Sequence, residues 1–350
     1  MYHWIVKQGN CELFVGGKGE KFAMPANLPP LYFEAQKRFQ RAPTPWEKIE
    51  ALEEMLAAMP HHKGTDHLRA ELNGRMARLL EDAEKKSATG RKGPGYYVRK
   101  EGAGQVALVG APNVGKSQLV ATLTNASLEI GDYPFTTKTA MPAMMTFENI
   151  QIQLVDLPAI NDRNAQPWLH SVIRNADLML ILVDLSQDTV KQLEMTVQEL
   201  LKLRIGIAGL EKDETMGAIY SKKTILAGNK CDLDPSGNVF GSLRGNYSSL
   251  LPVLAISAAK MVGLFDLGKA IFQTLDIVRV FTKIPGQKAE ITRPFVLKKG
   301  STVADVALAV HKDIGAKLKY AELWGSGKFQ GQRVRRDYII QDGDVVELHT

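Results

Sequence analysis

At 350 residues the chain exceeds what one hydrophobic core usually supports, so two or three domains are expected. A content of 45% hydrophobic and 23% charged residues excludes wholesale disorder, and the longest uninterrupted apolar run, Leu178 to Val183, is far too short to span a bilayer. The net charge of +6 divides unevenly, with +5 on residues 1–100, −1 on 101–289 and +2 on 290–350. A neutral centre between basic flanks fits a polyanionic partner, and it equally fits ordinary solvated lysines. Cys11 and Cys231 lie far apart without metal-ligand spacing, which argues against a disulfide framework. Tyr2, His3 and Trp4 precede neither a basic nor a long apolar region, so no signal peptide is read and a soluble, cytoplasmic protein with no membrane partner is expected.

Residues 1–23 have no clear period and contain Gly16, Gly17 and Gly19. Two readings fit: a disordered extension, or a translated leader ahead of a true start at Met24, with Lys18-Gly19-Glu20 encoded by a purine-rich run. Residues 24–88 read as a helical hairpin region. A short helix is expected over 30–41, and Thr44-Pro45-Trp46-Glu47 has the form of a helix start, with Thr44 as N-cap and Glu47 closing a capping box. Ile49, Leu52, Met55 and Leu56 then recur at helical spacing, as do Leu68, Leu72, Met76, Leu79 and Leu80 after a cap at Thr65. These stripes read as core, with a partner groove as the alternative. The second helix also carries Arg69, Arg75, Arg78, Lys85 and Lys86. His61, His62 and His67, at the bend, have no carboxylate or cysteine at ligand spacing and do not suggest a metal.

Residues 89–104 read as a basic Gly-rich linker, with Arg91, Lys92, Arg99 and Lys100 among Gly90, Gly93, Gly95, Tyr96 and Tyr97. It is either a solvated hinge or a phosphate contact with tyrosines to stack. From 105 to 284 short apolar runs alternate with helical patterns, as in a parallel sheet with crossover helices. The expected strands are 105–110, 150–156, 178–184, 224–229 and 253–256. Beyond Pro285-Gly286, residues 290–350 form a separate compact unit with strand, helix and strand signals.

Gly110-Ala111-Pro112-Asn113-Val114-Gly115-Lys116-Ser117, followed by Gln118, matches the phosphate-loop pattern and has a strand before it and a helix after it. The glycines let backbone N–H groups close around phosphates, where the helix N-terminus adds partial positive charge. Lys116 would reach the β- and γ-phosphates, and Ser117 would coordinate Mg²⁺. Asn229-Lys230-Cys231-Asp232 selects guanine, because the Asp232 carboxylate can accept two hydrogen bonds that adenine cannot offer. Ser257-Ala258-Ala259-Lys260 follows the next strand, where a backbone N–H can meet the guanine oxygen. Asp156, 40 residues after Lys116, is placed to hold Mg²⁺ through water, and Thr136 and Thr137 are candidates to close on Mg²⁺ and the γ-phosphate.

This ordered set resembles an Obg-like GTPase, closest to the developmentally regulated GTP-binding (DRG) branch. The resemblance rests on Tyr133-Pro134-Phe135-Thr136-Thr137, on Asp156-Leu157-Pro158, and on the helical hairpin leading through a Gly-rich linker into the phosphate loop. Leu323-Trp324-Gly325-Ser326, Gln332-Arg333-Val334 and Asp342-Gly343-Asp344-Val345-Val346 are similar to a TGS domain, a small β-grasp module. The implied fold is α/β: a P-loop GTPase domain with a parallel-rich sheet, after a helical hairpin and before a TGS-like domain. The resemblance places the switch threonine at Thr137 and implies slow, Mg²⁺-dependent hydrolysis of GTP to GDP and phosphate. It also implies K⁺ held beside Asn113, although Asn113 could merely shape the loop. Expected partners are GTP or GDP, and RNA or the ribosome met through the linker and the TGS-like unit; no DNA partner is expected. Lys298, Lys299, Arg333, Arg335 and Arg336 are candidates for RNA phosphates, or simply a solvated surface.

Two departures from the family pattern stand out. Ala159 follows Pro158 where the family has glycine, and Asn161-Asp162-Arg163 replaces Glu-Gly-Ala. The Ala159 N–H could still bind the γ-phosphate, but with less backbone freedom. Ile160 takes the place of a water-orienting glutamine, as the resemblance implies is normal for Obg-like proteins. Only 73 positions separate Asp156 from Asn229, too few for the inserted domain of eukaryotic and archaeal DRG proteins. The rival reading is therefore a nucleotide-sensing RNA- or ribosome-binding protein with little or no hydrolysis.

Overall fold

The computed structural model describes residues 4–7, 10–13, 28–42, 45–60, 65–87, 98–124, 140–160, 168–210, 220–283 and 292–350. Thr44, the bend at 61–64, the linker from 88 to 97, Thr136, Thr137, Asn161-Asp162-Arg163 and Met24 lie outside the described residues. The chain divides into two compact units, residues 1–94 and 95–350.

In the first unit β1 (Trp4–Lys7) and β2 (Asn10–Leu13) form an antiparallel ribbon, within a stretch that the sequence had suggested was leader or disordered extension. Apolar and β-branched residues such as Trp4, Ile5 and Val6 suit a strand, but a run of four is too short to show a period. Three helices follow: α1 (Pro30–Arg41), α2 (Pro45–Ala58) and α3 (Asp66–Ser87). Tyr32 and Ala35 of α1 close a core with Leu52, Met55, Met59 and Leu72, so the apolar stripes serve packing. Part of the cationic complement is paired within the unit. Arg38 holds the buried Glu54 at 2.8 Å, Arg69 Nη1 donates to the Met59 carbonyl at 3.0 Å, and Arg75 pairs with Glu71 at 2.7 Å.

Among its described residues the second unit contains two large sheets and one two-stranded pair. β3 (Gln105–Gly110), β4 (Met141–Phe147), β5 (Ile150–Asp156), β6 (Leu178–Asp184), β9 (Thr224–Asn229) and β10 (Val253–Ala255) form the first, in the order β10-β9-β6-β3-β5-β4. All neighbours are parallel except β4, which turns back antiparallel on β5. β3, β6 and β9 are buried along their whole length, the pattern of parallel strands covered on both faces. On one face α5 (Trp168–Asn175), α6 (Thr189–Lys202) and α7 (Asn238–Tyr247) bring Leu169, Ile173, Leu193, Leu200 and Leu243 into the core. On the other, α4 (Lys116–Thr124) and α8 (Leu264–Thr274) bring Leu119, Val120, Leu267 and Ile271. β7 (Ile205–Ile207) and β8 (Tyr220–Lys222) form a small parallel pair beside this domain.

The second sheet has the order β12-β11-β15-β13-β14, from β11 (Ile277–Lys283), β12 (Phe295–Lys298), β13 (Tyr320–Trp324), β14 (Gln332–Val334) and β15 (Val345–His349). β11 and β15 are parallel and the other pairs antiparallel. α9 (Val303–Val310) and α10 (Lys312–Lys317) complete the domain, and Val303, Val306 and Ala307 of α9 pack on Val280, Leu323 and Val346. Thr302 and Asp305 close a capping box at the start of α9.

Two boundaries differ from those read in the sequence. The expected division at 284–290 leaves β11 in the first domain, yet β11 pairs with β12 and β15 and buries Val278 and Val280 in the second core. The join therefore falls between Thr274 and Ile277. Pro285-Gly286, read in the sequence as the boundary, lie outside the described residues, just past the end of β11 at Lys283. The linker expected over 89–104 also ends early. Lys100 pairs with Asp177 at 2.5 Å, Gln153 Nε2 donates to Arg99 O, and Ala103 N donates to Gln151 O, fastening residues 99–103 to the sheet.

Candidate functional site

The C-terminal ends of β3, β5, β9 and β10 bring those predicted residues that the structure describes to one edge of the sheet, the usual ligand side of an open parallel fold. β3 runs into the loop 110–115, which opens α4 at Lys116. A side chain at Gly110 would sit 2.5 Å from the Leu182 carbonyl, and one at Gly115, where φ is +94°, would collide with the Asn229 amide. Those two positions require glycine for close approach. Asn113 has φ 61° and is exposed at the tip of the loop.

Lys116 is buried, and its Nζ donates to the carbonyls of Gly110 at 3.1 Å and Ala111 at 3.0 Å. Burial lowers its pKa to about 8, against the opposing pull of Asp156. Ser117 Oγ donates to Asp156 Oδ2 at 2.5 Å, which joins the start of α4 to the end of β5. Gln118 turns its side chain along α4, its Nε2 reaching Thr122 Oγ1 at 3.3 Å.

Asn229 ties the parts together. Its Nδ2 donates to the Val114 carbonyl at 2.8 Å, and its Oδ1 accepts from Ala258 N–H at 3.0 Å. One buried amide thus joins the phosphate loop to the Ser257-Ala258-Ala259 turn. The Ala258 N–H is used internally, and Ala259 beside it is exposed. Ser257 Oγ accepts from Lys260 N–H at 3.1 Å and holds the turn. Lys230 adopts a left-handed conformation, φ 62°, and Asp232 is exposed in the following 3₁₀ turn, Cys231–Leu233.

Sequence reasoning missed Asp184. It ends β6, directly beside Asn229 in the strand register, and its carboxylate accepts from Lys230 Nζ at 2.6 Å and from the hydroxyl and N–H of Ser186. Burial alone would raise the Asp184 carboxyl, but these bonds outweigh it and hold the pKa below the ordinary carboxylate range. Its position at the end of a wholly apolar strand was the available signal. Ala159 and Ile160 are both buried, and Ile160 packs into the core beside Leu157 and Leu169.

Comparison with known proteins agrees with this fold. The family model for 50S ribosome-binding GTPases matches residues 105–212, and the TGS domain model matches residues 278–350. This is a P-loop GTPase domain joined to a TGS domain. The TGS match begins within β11, as the strand pairing requires. An uncharacterized GTP-binding protein of Methanocaldococcus jannaschii is 28% identical over an alignment covering 86% of this chain and 92% of that protein. The human developmentally-regulated GTP-binding protein 2 is 27% identical, with 86% and 98% covered. Among solved structures, the Schizosaccharomyces pombe YchF GTPase aligns with 73% of this chain and all of its own at a TM-score of 0.52 and 13% identity, a likeness of fold. Among the described residues no helix is long and apolar enough to cross a membrane.

Proposed function

We propose that the GTPase domain binds GTP and GDP at this sheet edge, hydrolyses GTP slowly, and uses its nucleotide state to govern docking on RNA, most directly the ribosome. The observation that carries the nucleotide reading is the pair of hydrogen bonds by which Asn229 donates to Val114 O and accepts from Ala258 N–H, joining the phosphate loop to the Ser257-Ala258-Ala259 turn. Lys116, released from the loop carbonyls, would hold the β- and γ-phosphates, and Asp232 would accept the paired guanine donors. The Ser117 hydroxyl and Asp156 carboxylate offer an all-oxygen donor set, which suits a hard cation such as Mg²⁺. Bound there, Mg²⁺ would neutralise charge on the β- and γ-phosphates. Thr137 is assigned to close on the γ-phosphate, and Asn113 to hold K⁺ beside it.

The test is nucleotide affinity followed by single-turnover GTP hydrolysis in K⁺ and in Na⁺ on one sample. Guanine binding that Asp232→Ala abolishes, with hydrolysis faster in K⁺, supports the whole reading. Equal rates in the two salts would remove the K⁺ assignment, and absence of guanine binding would overturn the reading itself.

A second reading, a sensor that hardly hydrolyses, draws on the burial of Ala159 and Ile160, neither of which presents a water-orienting group. Tight binding with no turnover in either salt would favour it. Docking on RNA is supported by the basic flanks and by the exposed Lys298, Lys299, Arg333, Arg335 and Arg336 of the TGS domain. Co-sedimentation with ribosomes that depends on GTP rather than GDP, and weakens in Arg335→Glu/Arg336→Glu, would test it; sedimentation unaffected by both changes would refute it.

A further inference from the structure

Glu322 of β13 and Glu347 of β15 stand directly opposite one another in their antiparallel pair. Like charges in that arrangement repel. The Glu347 side chain is moreover only 7% exposed, where a carboxylate needs compensation. Lys283 of β11 answers one of its oxygens, Nζ to Oε2 at 2.8 Å. The other, Oε1, faces His349 Nε2 at 3.2 Å. That ring nitrogen is buried and makes no hydrogen bond among the described residues. The ring is held in place by stacking on Tyr320, 4.5 Å between centroids and 8° from parallel, and the Arg333 guanidinium covers Tyr320 at 3.6 Å. Alternation along β15 puts Glu347 and His349 on the same face, opposite the face where Val346 meets α9. One donor atom from each of Glu322, Glu347 and His349 lies within 4.8 Å of the others.

We propose that these three residues hold a divalent transition-metal ion of the zinc class on the outer face of the TGS sheet. Bonds of about 2.0–2.2 Å from one imidazole nitrogen and two carboxylate oxygens can converge on a single ion from donors this close. An imidazole ligand selects against Mg²⁺ and Ca²⁺, which prefer oxygen alone. The ion removes the repulsion between the facing glutamates, and Lys283 becomes the outer partner that orients Glu347. Three protein ligands leave a fourth position for water or a further donor. The proposal does not depend on the nucleotide reading.

The test is Zn²⁺ titration of the full-length protein by competition with a chromogenic chelator, with GDP and Mg²⁺ present so that the nucleotide site is filled. Co²⁺ provides a visible-absorption readout of geometry. One bound equivalent is expected, with a four-coordinate cobalt spectrum. Glu322→Gln and His349→Gln should each weaken it by about 10-fold or more while GDP affinity stays unchanged. Glu322→Gln is the safer variant, being near-isosteric and removing the like-charge pair, and its thermal melt reports whether the sheet is intact. If the wild type binds no equivalent, the proposal fails. It fails equally if a folded Glu322→Gln binds Zn²⁺ as the wild type does.

Discussion

Arg279 grips Asp342 through both arms of its guanidinium, Nε to Oδ1 at 3.0 Å and Nη2 to Oδ2 at 2.7 Å, while its own backbone N–H donates to the same Oδ1 at 2.7 Å. The same side chain lies 4.7 Å over the Phe272 ring of α8 and bonds Glu148 and Asn149 in the turn between β4 and β5. β5 leaves that turn and ends at Asp156. Arg279 thus fastens the TGS domain to the strand that carries a predicted Mg²⁺ residue.

Arg279→Lys keeps the charge but loses the fork, and should cost about 1–2 kcal/mol in equilibrium urea unfolding. Burial alone would raise the Asp342 carboxyl, but the hydrogen bonds and charge of Arg279 hold its pKa below the ordinary range. A depressed carboxylate contributes stability above its unfolded pKa of about 3.9, and that contribution is lost as pH falls through the folded value. The difference between wild type and Asp342→Asn should therefore be steady at neutral pH and shrink below about pH 4. A constant difference down to pH 3 would remove the clamp from the stability account.

Gly115→Ala places a Cβ against the Asn229 amide in a backbone conformation that L side chains rarely adopt. Relieving the collision moves Asn229 away from Val114 and Ala258, the two bonds that join the site. A strain of ~1–3 kcal/mol predicts a loss of roughly 5- to 150-fold in GDP affinity, read by fluorescent-nucleotide titration. Unchanged affinity would show that Asn229 does not organise the site.

Lys116, with its pKa lowered by burial to about 8, should make nucleotide binding pH-dependent. Between about pH 8 and 10.5 the unfolded chain holds a proton at this lysine that the folded, nucleotide-free protein does not, so stability without nucleotide rises across that window. Phosphates restore the charged form. GDP binding near pH 9 should then take up as much as about one proton, measured by calorimetry in buffers of different ionisation enthalpy. Lys116→Met should abolish the uptake and, by removing a buried cation, stabilise the nucleotide-free protein at pH 7 by about 1–3 kcal/mol. Proton release on binding would contradict this account.

Ala159→Gly tests the second switch. Ala159 is buried at the end of the segment after Asp156. Glycine at that position adds ~0.5–1 kcal/mol of backbone freedom, which should raise single-turnover hydrolysis about 2- to 5-fold with little change in GDP affinity. A slower variant would mean that alanine is the better residue at this switch.

Local patterns determined much of this protein from the sequence alone. Strands 105–110, 178–184 and 224–229 read directly because parallel strands buried on both faces are largely continuous apolar runs. The phosphate loop and Asn229-Lys230-Cys231-Asp232 read directly because each packs several chemical requirements into a few adjacent residues. β4 was missed because its exposed Met141 and Pro142 give an uneven pattern, and it exists as an edge strand through its pairing with β5.

The tertiary structure alone decided relationships between distant residues. β11 belongs to the TGS sheet because β15, more than sixty positions later, supplies its hydrogen bonds. Asp184 matters because the chain brings Lys230 to it, and Arg279 because Glu148 and Asp342 come to it from opposite directions in sequence. Hydrophobic periodicity and turn chemistry are properties of a few neighbouring residues and survive in a linear reading. Pairing across a sheet, burial of a charge and the choice of its partner arise only when segments far apart in the chain are packed together, because each is an interaction energy between them.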